Sequence, residues 1–260
     1  MKAVVTGAAS GIGRACAVRL AADARARDET ATLLLVDVSP GPLEQLVGEL
    51  VAQGADATGL TVDLADPEAG ATVAAAAAER LGGVDVLVSN AGIAIGELFA
   101  TLPLADWDKT FAVNTRATFL LAQALRPLLA ASRGCLVATA SVSASEPTPP
   151  LGAYSASKAA LVMLVRQLAY EWGREGIRCN CVSPGMVHTG LTDATYSNPE
   201  IRAERSARVP LQRIGAPEDI AAAVSFLTGP DAAYVTGVNL AVDGGLQTVL
   251  MPQLRGIVGA

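Results

Sequence analysis

Tyr154 and Lys158 are the side chains whose types and spacing most clearly predict chemistry. They stand four residues apart in the segment 152–158, and residues four apart on a helix share one face. A cation beside a phenol favours the phenolate, so it lowers the pKa of the tyrosine from about 10. The pair therefore predicts a tyrosine that serves as an acid or base near neutral pH.

The single histidine, His188, removes most other acid–base and metal chemistry. A site built on several histidines is excluded, and a Ser-His-Asp triad could use this residue only once. Cys16, Cys135, Cys179 and Cys181 contain no C-x-x-C pair and no disulfide-dense spacing. We therefore expect no metal site and predict that the cysteines are reduced, with Cys179 and Cys181 packed in the core.

The charge balance and the apolar runs bound the partners and the location. The 260-residue chain has 19 Lys and Arg against 25 Asp and Glu, a formal net charge of −6, which argues against nucleic-acid binding. Neither a signal-peptide core nor an apolar run of about 18 residues is found. We expect a cytoplasmic protein that binds neither nucleic acid nor membrane.

The segment 4–13 is typical of a strand, a tight turn and the start of a helix, with glycines at positions 7, 11 and 13. A diphosphate binds the free N–H groups at such a helix start, and glycines let it approach the backbone. The spacing is G-x-x-x-G-x-G and differs from the G-x-G-x-x-G pattern. The turn predicts a dinucleotide site, with a glycine-rich turn that binds no ligand as the alternative.

Asp37 ends a predicted strand 24 residues after Gly13 and bears on the choice of dinucleotide. A carboxylate there accepts hydrogen bonds from the ribose hydroxyls of adenosine, and it repels a 2′-phosphate. Ser10 in the turn and Val38 after the strand supply no basic side chain to reverse that preference. We therefore predict NAD rather than NADP, with a solvated strand-end aspartate as the alternative.

Elements that could position these residues alternate along the chain. Strands are predicted at 3–6, 33–37, 58–62, 84–89, 135–139, 177–182 and 238–241, and helices at 11–22, 43–52, 68–81, 107–130, 154–171 and 217–227. The strands are continuously apolar, as strands covered on both faces are. The pattern predicts an α/β protein: one doubly wound Rossmann domain over 1–260, with a seven-stranded parallel sheet flanked by helices.

In their order and intervals, these motifs resemble the short-chain dehydrogenase/reductase family over residues 2–246. The cofactor turn comprises Thr6, Gly7, Gly11, Ile12 and Gly13, and the acidic residue after the third strand is Asp63. The N-A-G motif is Asn90, Ala91 and Gly92, and the P-G-x-x-x-T segment is 184–189. The four catalytic positions are Asn114, Ser141, Tyr154 and Lys158. Ser141 precedes Tyr154 by 13 residues, which is the family's spacing. Enoyl reductases of the superfamily space their Tyr and Lys farther apart.

The resemblance implies a role for each of the four catalytic positions. Tyr154 would exchange a proton with the alcohol or carbonyl oxygen, and Ser141 would hydrogen-bond that oxygen. Lys158 would bind the nicotinamide ribose and bias Tyr154 toward phenolate. Asn114 would hold a water that connects Lys158 to solvent.

The resemblance also implies the residues that bind the cofactor, NAD. Val187 and Thr189 would grip its carboxamide, and Asp63 would contact its adenine. The full predicted set is Gly7, Ser10, Gly11, Ile12, Gly13, Asp37, Val38, Asp63, Leu64, Asn90, Ala91, Gly92, Tyr154, Lys158, Pro184, Gly185, Val187 and Thr189.

The predicted substrate pocket is largely apolar. It is formed by the loops after positions 92 and 141 and by a lid over roughly 186–210, and its residues are Ser141, Ser143, Ile93, Leu151, Met186 and His188. No arginine stands where it could bind a carboxylate close to Tyr154. We predict a hydrophobic secondary alcohol or ketone, as bulky as a steroid or terpenoid. For His188, a solvated loop position is the alternative.

Two other functions compete with this prediction. A 3-oxoacyl-thioester reductase would normally use NADPH and dock an acidic acyl carrier protein, so Asp37 and the net charge count against it. A catalytically silent dinucleotide-binding protein is disfavoured by the intact catalytic positions.

Assembly is predicted from the resemblance alone. Family members commonly form tetramers, so we expect a homotetramer, and the apolar stretch 249–258 would suit burial against another subunit. The link 22–32 is longer and more charged than is usual in the family, and it lacks the customary glycine.

Overall fold

The computed structural model describes residues 1–249, and its centre is a parallel sheet in the order β3-β2-β1-β4-β5-β6-β7. The strands are β1 (Lys2–Thr6), β2 (Thr32–Asp37), β3 (Asp56–Thr61), β4 (Val86–Ser89), β5 (Cys135–Thr139), β6 (Arg178–Pro184) and β7 (Asn239–Val242). Every neighbouring pair is parallel. The predicted doubly wound α/β fold with seven parallel strands is confirmed.

Helices cover both faces of this sheet, because its central strands are apolar on both sides. One face packs against α1, α2 and α9 around Cys16, Leu46 and Ile220. The other face packs against α3, α5 and α6 around Val73 and Leu125. The helices are α1 (Gly11–Ala26), α2 (Pro40–Ala52), α3 (Ala69–Leu81), α4 (Leu104–Phe111), α5 (Ala117–Ser132), α6 (Tyr154–Trp172), α7 (Asp193–Tyr196), α8 (Pro199–Ala207) and α9 (Pro217–Thr228).

The strand order reverses at β1, which pairs with β2 on one side and with β4 on the other. The crossovers that follow β1 and β4 lie on opposite faces of the sheet, so a crevice opens beyond the carboxyl ends of these two strands. Thr6 and Ser89 are the last residues of β1 and β4. The glycine turn and the segment 90–92 therefore meet at this crevice.

The edge strands depart from the prediction of continuous burial. Exposed and covered residues alternate along β3, and β7 has no buried residue. An edge strand has a partner on one side only and lies at the limit of the helical layers. The ends of the predicted strands are displaced by up to two residues.

The first part of the charged link 22–32 continues α1, which ends at Ala26 rather than at residue 22. Ala24 faces the core, while Arg19 and Asp23 form an ion pair of 2.8 Å on the outer side. Asp28 turns the chain with a φ of 57°, because aspartate tolerates the left-handed region better than most residues. The turn therefore forms without the glycine that the resemblance led us to expect in this link.

The predicted helix 107–130 is interrupted. Its two parts, α4 and α5, are joined by the π-helical turn Ala112–Arg116, which contains Asn114. The region 186–210, predicted as a lid, contains the two short helices α7 and α8.

Other predictions concern the thiols, the membrane and the C-terminal stretch. The four cysteines are buried free thiols, as predicted. Within residues 1–249, no helix is both long and apolar enough to cross a membrane. Except for residue 249, the apolar stretch 249–258 lies outside the described residues.

Candidate active site

The glycine turn is packed so tightly that side chains cannot replace two of its glycines. A Cβ on Gly13 would lie 2.0 Å from the carbonyl oxygen of Gly7, and a Cβ on Gly7 would lie 2.9 Å from Ala91 Cα. Gly7 also has a φ of +62°. The turn thereby brings the start of α1 against the segment that follows β4.

The start of α1 has donors available for an anion. Ser10 is the residue before the helix, and its side chain makes no capping hydrogen bond. The first N–H groups of a helix have no partner within it, and they carry partial positive charge. The predicted residues Ser10, Gly11 and Ile12 are therefore arranged as a diphosphate site requires.

Asp37 connects the end of β2 to the glycine turn. Its Oδ2 accepts a hydrogen bond of 2.9 Å from the Ala9 N–H, and its Oδ1 accepts one of 3.0 Å from the Ser39 N–H. Each carboxylate oxygen keeps a further lone pair for a ribose hydroxyl. The neighbouring Val38 is exposed. The bond to Ala9 was not foreseen from the sequence.

Asp63 follows β3, one strand farther along the same edge. Its carboxylate is exposed and accepts a hydrogen bond of 2.8 Å from the Ala65 N–H, while Leu64 is buried. The bond fixes the direction of the Asp63 carboxylate.

Asn90 is held by Thr6, which belongs to the predicted cofactor turn, and by Thr139, which sequence reasoning missed. The Thr6 hydroxyl accepts hydrogen bonds of 3.0 Å from the Asn90 N–H and 3.1 Å from the Ala91 N–H. The Thr139 hydroxyl donates to Asn90 Oδ1 at 3.0 Å. Because each threonine ends a neighbouring strand, the carboxyl edge of the sheet itself fixes the N-A-G segment.

Asn114 lies in the π-helical turn, a type of helix irregularity frequent at functional sites. Its Oδ1 accepts from the Ile93 N–H at 2.8 Å, and its Nδ2 donates to the Ile93 carbonyl at 2.9 Å and to Ser157 Oγ at 3.0 Å. Ser157, on α6, was not foreseen. The amide thus joins the loop after β4 to the helix that carries Tyr154 and Lys158.

Lys158 is buried, and its Nζ donates a 2.7 Å hydrogen bond to the Thr139 carbonyl. Burial lowers the pKa of this lysine to about 8. A Cβ on Gly92 would lie 3.2 Å from both Lys158 Nζ and Asn114 Oδ1. A glycine at this position therefore leaves the two polar atoms accessible from the crevice.

Tyr154 is the first residue of α6, and its pKa departs from the predicted direction. Burial raises the pKa of the phenol, and a hydrogen bond with Ser141 partly counteracts the rise. Lys158 Nζ is 5.8 Å from the centre of the ring and is bonded to Thr139. The predicted lowering of the Tyr154 pKa is not found, because burial is the largest influence on the phenol and raises its pKa.

The two serines after β5 differ in what they contact. Ser141 is buried, its Oγ accepts from the Ser143 N–H at 3.1 Å, and it hydrogen-bonds the Tyr154 phenol. The Ser143 hydroxyl instead pairs with Thr148 Oγ1 at 2.8 Å. Of the two, Ser141 is the one placed beside the phenol.

The loop after Ile93 and the loop before Tyr154 are joined, which the sequence did not indicate. Glu97 pairs with Leu151 in a short parallel bridge. Gly152 has a φ of +50°, and a Cβ there would lie 3.2 Å from the Ile95 carbonyl oxygen. The predicted pocket residues Ile93 and Leu151 therefore lie on two loops that support each other.

The segment after β6 reaches back to the glycine turn. Gly185 packs so closely that its Cβ would lie 2.7 Å from Asp243 Cα, and Pro184 ends the strand. A Cβ on Gly11 would lie 3.2 Å from Thr189 Cβ. The structure thus brings the predicted carboxamide segment, including Val187 and Met186, beside the predicted diphosphate turn.

His188 is partly buried and has a defined partner. Its Nε2 lies 2.9 Å from Asp193 Oδ1, and its ring meets the edge of Tyr196 at 5.9 Å between centroids. The alternative of a solvated loop position therefore does not describe it. Among residues 1–249, no group of three or more His, Cys, Asp or Glu side chains is arranged to hold a metal.

The chain is similar to a known protein family and to known proteins over most of its length. A family model described as enoyl-(acyl carrier protein) reductase matches residues 7–247. L-rhamnose 1-dehydrogenase (NAD(P)(+)) of Sphingomonas sp. (strain SKA58) is 37% identical over 245 residues, which cover 94% of this chain and 94% of that protein.

Two solved structures are similar over almost their whole length. An oxidoreductase of the short-chain dehydrogenase/reductase family from Burkholderia thailandensis is 33% identical, with a TM-score of 0.86, over 97% of this chain and 95% of that chain. A Beutenbergia cavernae structure with NADP bound at low occupancy is 37% identical, with a TM-score of 0.87, over 95% of this chain and 96% of that chain.

Proposed function

Because the chain belongs to the short-chain dehydrogenase/reductase family, we propose that it transfers a hydride between NAD and a hydrophobic secondary alcohol or its ketone. The broader class, an NAD(P)-dependent oxidoreductase acting on CH–OH groups, is that of its relatives. The observation that carries the proposal is the meeting of a partly buried phenol, a serine hydrogen-bonded to it and a buried lysine at the crevice of the sheet.

The residues around the crevice suit a dinucleotide. The uncapped start of α1 would hold the diphosphate, and Asp37 would hold the adenosine ribose. Val187 and Thr189 would hold the carboxamide beside the glycine turn. When bound, the nicotinamide supplies or accepts the hydride, and the protein provides orientation and electrostatics.

The proton is handled by Tyr154. In ketone reduction its phenol donates the proton to the carbonyl oxygen, and in alcohol oxidation its phenolate accepts one. Ser141 hydrogen-bonds the same oxygen and holds it in place. Burial favours the neutral phenol in the protein alone, so the site begins in the form that donates a proton.

Lys158 and Asn114 would support this exchange. An ammonium has three donors, and the Thr139 carbonyl takes one of them. The other two N–H groups would donate to the nicotinamide ribose, and the positive charge would favour the phenolate of Tyr154. Asn114, bound to the Ile93 backbone, would hold the water that links Lys158 to solvent.

The preference for NAD rests on Asp37. Its carboxylate is fixed by the Ala9 and Ser39 N–H groups, and a 2′-phosphate beside it would meet like charge. The exposed Val38 adds no cation. The name of the Sphingomonas relative includes NAD(P)(+) and so does not distinguish the two coenzymes. The proposed preference for NAD therefore depends on Asp37 alone.

The hydrophobic substrate class rests on the apolar residues at the mouth of the crevice. Ile93, Leu151 and Met186 are half-buried there, and Leu191 is exposed. The Sphingomonas relative is a rhamnose dehydrogenase, which makes a polyhydroxylated substrate the competing class. An acyl thioester is the second competing substrate class. It is included in the test because the matching family model is described as an enoyl-(acyl carrier protein) reductase.

Turnover measurements test the proposal. We expect oxidation of bulky secondary alcohols with NAD⁺ to exceed oxidation of rhamnose, gluconate or short hydroxy acids in kcat/KM. Tyr154→Phe should lower turnover by a factor of about 100 or more while NADH still binds. Unchanged turnover in that variant would refute the assigned chemistry, and a preference for a sugar or an acyl thioester would refute the substrate class.

We also propose a single catalytic domain over 1–260 with a substrate lid at 186–210, a cytoplasmic location and a homotetramer. Exposed apolar side chains on α5, α6 and α9, among them Phe119, Met163, Tyr170 and Phe226, support an assembly. Light scattering of the purified protein should give four times the chain mass.

A further inference from the structure

His188, the single histidine of the chain, connects two ends of a short turn. Its Nε2 lies 2.9 Å from Oδ1 of Asp193, the first residue of α7. Asp193 Oδ1 also accepts a hydrogen bond of 3.1 Å from the Ser197 hydroxyl. The turn 189–192 is therefore enclosed between two side chains that bond each other.

The backbone of His188 is fixed to another part of the chain. Its N–H donates to the Gly215 carbonyl at 3.0 Å, and the Gly215 N–H donates to the Met186 carbonyl at 2.8 Å. Val187 and Gly215 form a short parallel bridge. One end of the turn is thus anchored before α9, whereas the other end begins an exposed helix.

The enclosed turn lies against the glycine turn. Thr192 Oγ1 accepts from the Thr189 N–H at 2.9 Å and donates to the Val187 carbonyl at 2.7 Å. A Cβ on Gly11 would lie 3.2 Å from Thr189 Cβ. A displacement of the turn 189–192 would therefore change the packing at Gly11, where the dinucleotide is proposed to bind.

We propose that His188 is a positioning residue which, through its bond to Asp193, closes the turn 189–192 and tightens the binding of the dinucleotide. The inference rests on the proposed function, because it assumes that Val187 and Thr189 hold the nicotinamide end. Asp193 is largely exposed, so the contact contributes only a small free energy to holding the turn in place.

The groups that surround His188 come from the turn and from α7 and α8. Asp193 faces the imidazole directly, and the hydrogen bond from His188 holds the pKa of that carboxyl below its usual range. The Tyr196 ring packs on His188, and the Arg205 guanidinium lies 5.6 Å from that ring.

The remaining neighbours form a pair of their own. Arg213 and Asp219, which flank Gly215, are bonded to each other. Asp193 is therefore the carboxylate that bonds His188 within the described residues.

The test measures the Kd of NADH by fluorescence for wild type, His188→Asn, Asp193→Asn and the double variant. NADH is chosen because the 2′-phosphate of NADPH titrates near pH 6 itself. The pH is kept between 5.5 and 7, because burial lowers the pKa of Lys158 to about 8. Glu204→Gln is the control, since it breaks a more exposed ion pair, with Arg208, near the end of α8.

We expect each single variant to raise the Kd about two- to fivefold at pH 5.5, the range of exposed ion pairs, and the double variant to add nothing further. His188→Asn and Asp193→Asn should weaken binding to the same extent, while Glu204→Gln follows wild type.

Three results would overturn the inference. An unchanged Kd in His188→Asn removes the role of the histidine. Weakening in His188→Asn but not in Asp193→Asn means that His188 touches the ligand directly. Failure of the wild type to bind either dinucleotide removes the proposed function as well, which separates the two failures.

Discussion

Replacing Lys158 with methionine should stabilise the protein without its cofactor, although the residue is proposed to be essential. Burial lowers the pKa of Lys158 from 10.5 to about 8. In the unfolded chain the amine keeps its ordinary pKa, so below pH 8 the folded protein bears the full cost of a buried charge. A difference of that size corresponds to about 3 kcal/mol.

The sign of the pH dependence follows from the depressed pKa. Above 10.5 the amine is neutral in both states and the cost vanishes; as the pH falls toward 8, the unfolded state alone takes up the proton and stability is lost. Between pH 6.5 and pH 9, the difference in unfolding free energy between Lys158→Met and wild type should therefore shrink by about 1 kcal/mol.

The assay is urea unfolding of both proteins at pH 6.5 and 9, without dinucleotide and with reductant. Both proteins contain the four buried thiols, so the contribution of the thiols to the pH dependence of stability cancels in the comparison. Lys109→Met, at an exposed lysine on α4, is the control and should show a gap that does not change with pH. A Lys158→Met protein that is less stable than wild type at pH 6.5, or a gap that stays constant, would refute the reasoning.

Three further predictions concern the dinucleotide site and the phenol. Asp37→Ala should lower the preference for NAD⁺ over NADP⁺ about tenfold or more in kcat/KM, which corresponds to about 1.4 kcal/mol; a wild type that already prefers NADP⁺ contradicts the role of Asp37. Gly13→Ala should lower both the Tm and the dinucleotide affinity, because the new Cβ would lie 2.0 Å from the carbonyl oxygen of Gly7. The control Gly48→Ala, in open space on α2, should raise the Tm. Equal Tm values for the two variants would exclude the clash. Because burial raises the pKa of Tyr154, kcat/KM for alcohol oxidation should rise with pH above 7, while that for ketone reduction stays level until the phenol ionises. A flat oxidation profile would count against the phenol as the base.

The fold followed from the sequence because its signals are local and repeated. The continuous apolar run 33–36, between Thr32 and Asp37, is typical of a buried parallel strand, and it lies in β2. Gly7 and Gly13 stand where only a glycine fits. Such positions constrain the residue type directly, so their pattern can be read without coordinates.

The missed features depend on contacts between distant parts of the chain. The π-helical turn at Asn114 has no marker in its own residues, since Ala112–Arg116 could belong to an ordinary helix. The bond from Asp37 to the Ala9 N–H joins residues 28 apart. The raised pKa of Tyr154 comes from burial, which a Tyr-x-x-x-Lys spacing does not report.

Thr139 connects the two halves of the proposed chemistry. Its hydroxyl donates to Asn90 Oδ1, and Asn90 lies against the glycine turn. Its carbonyl accepts from Lys158 Nζ at 2.7 Å. The residue at the end of β5 thus orients a side chain of the dinucleotide crevice with one group and the buried lysine with the other. Since a strand end is held by the hydrogen bonds of the whole sheet, the spacing between the proposed hydride and proton sites is set by the sheet rather than by a mobile loop.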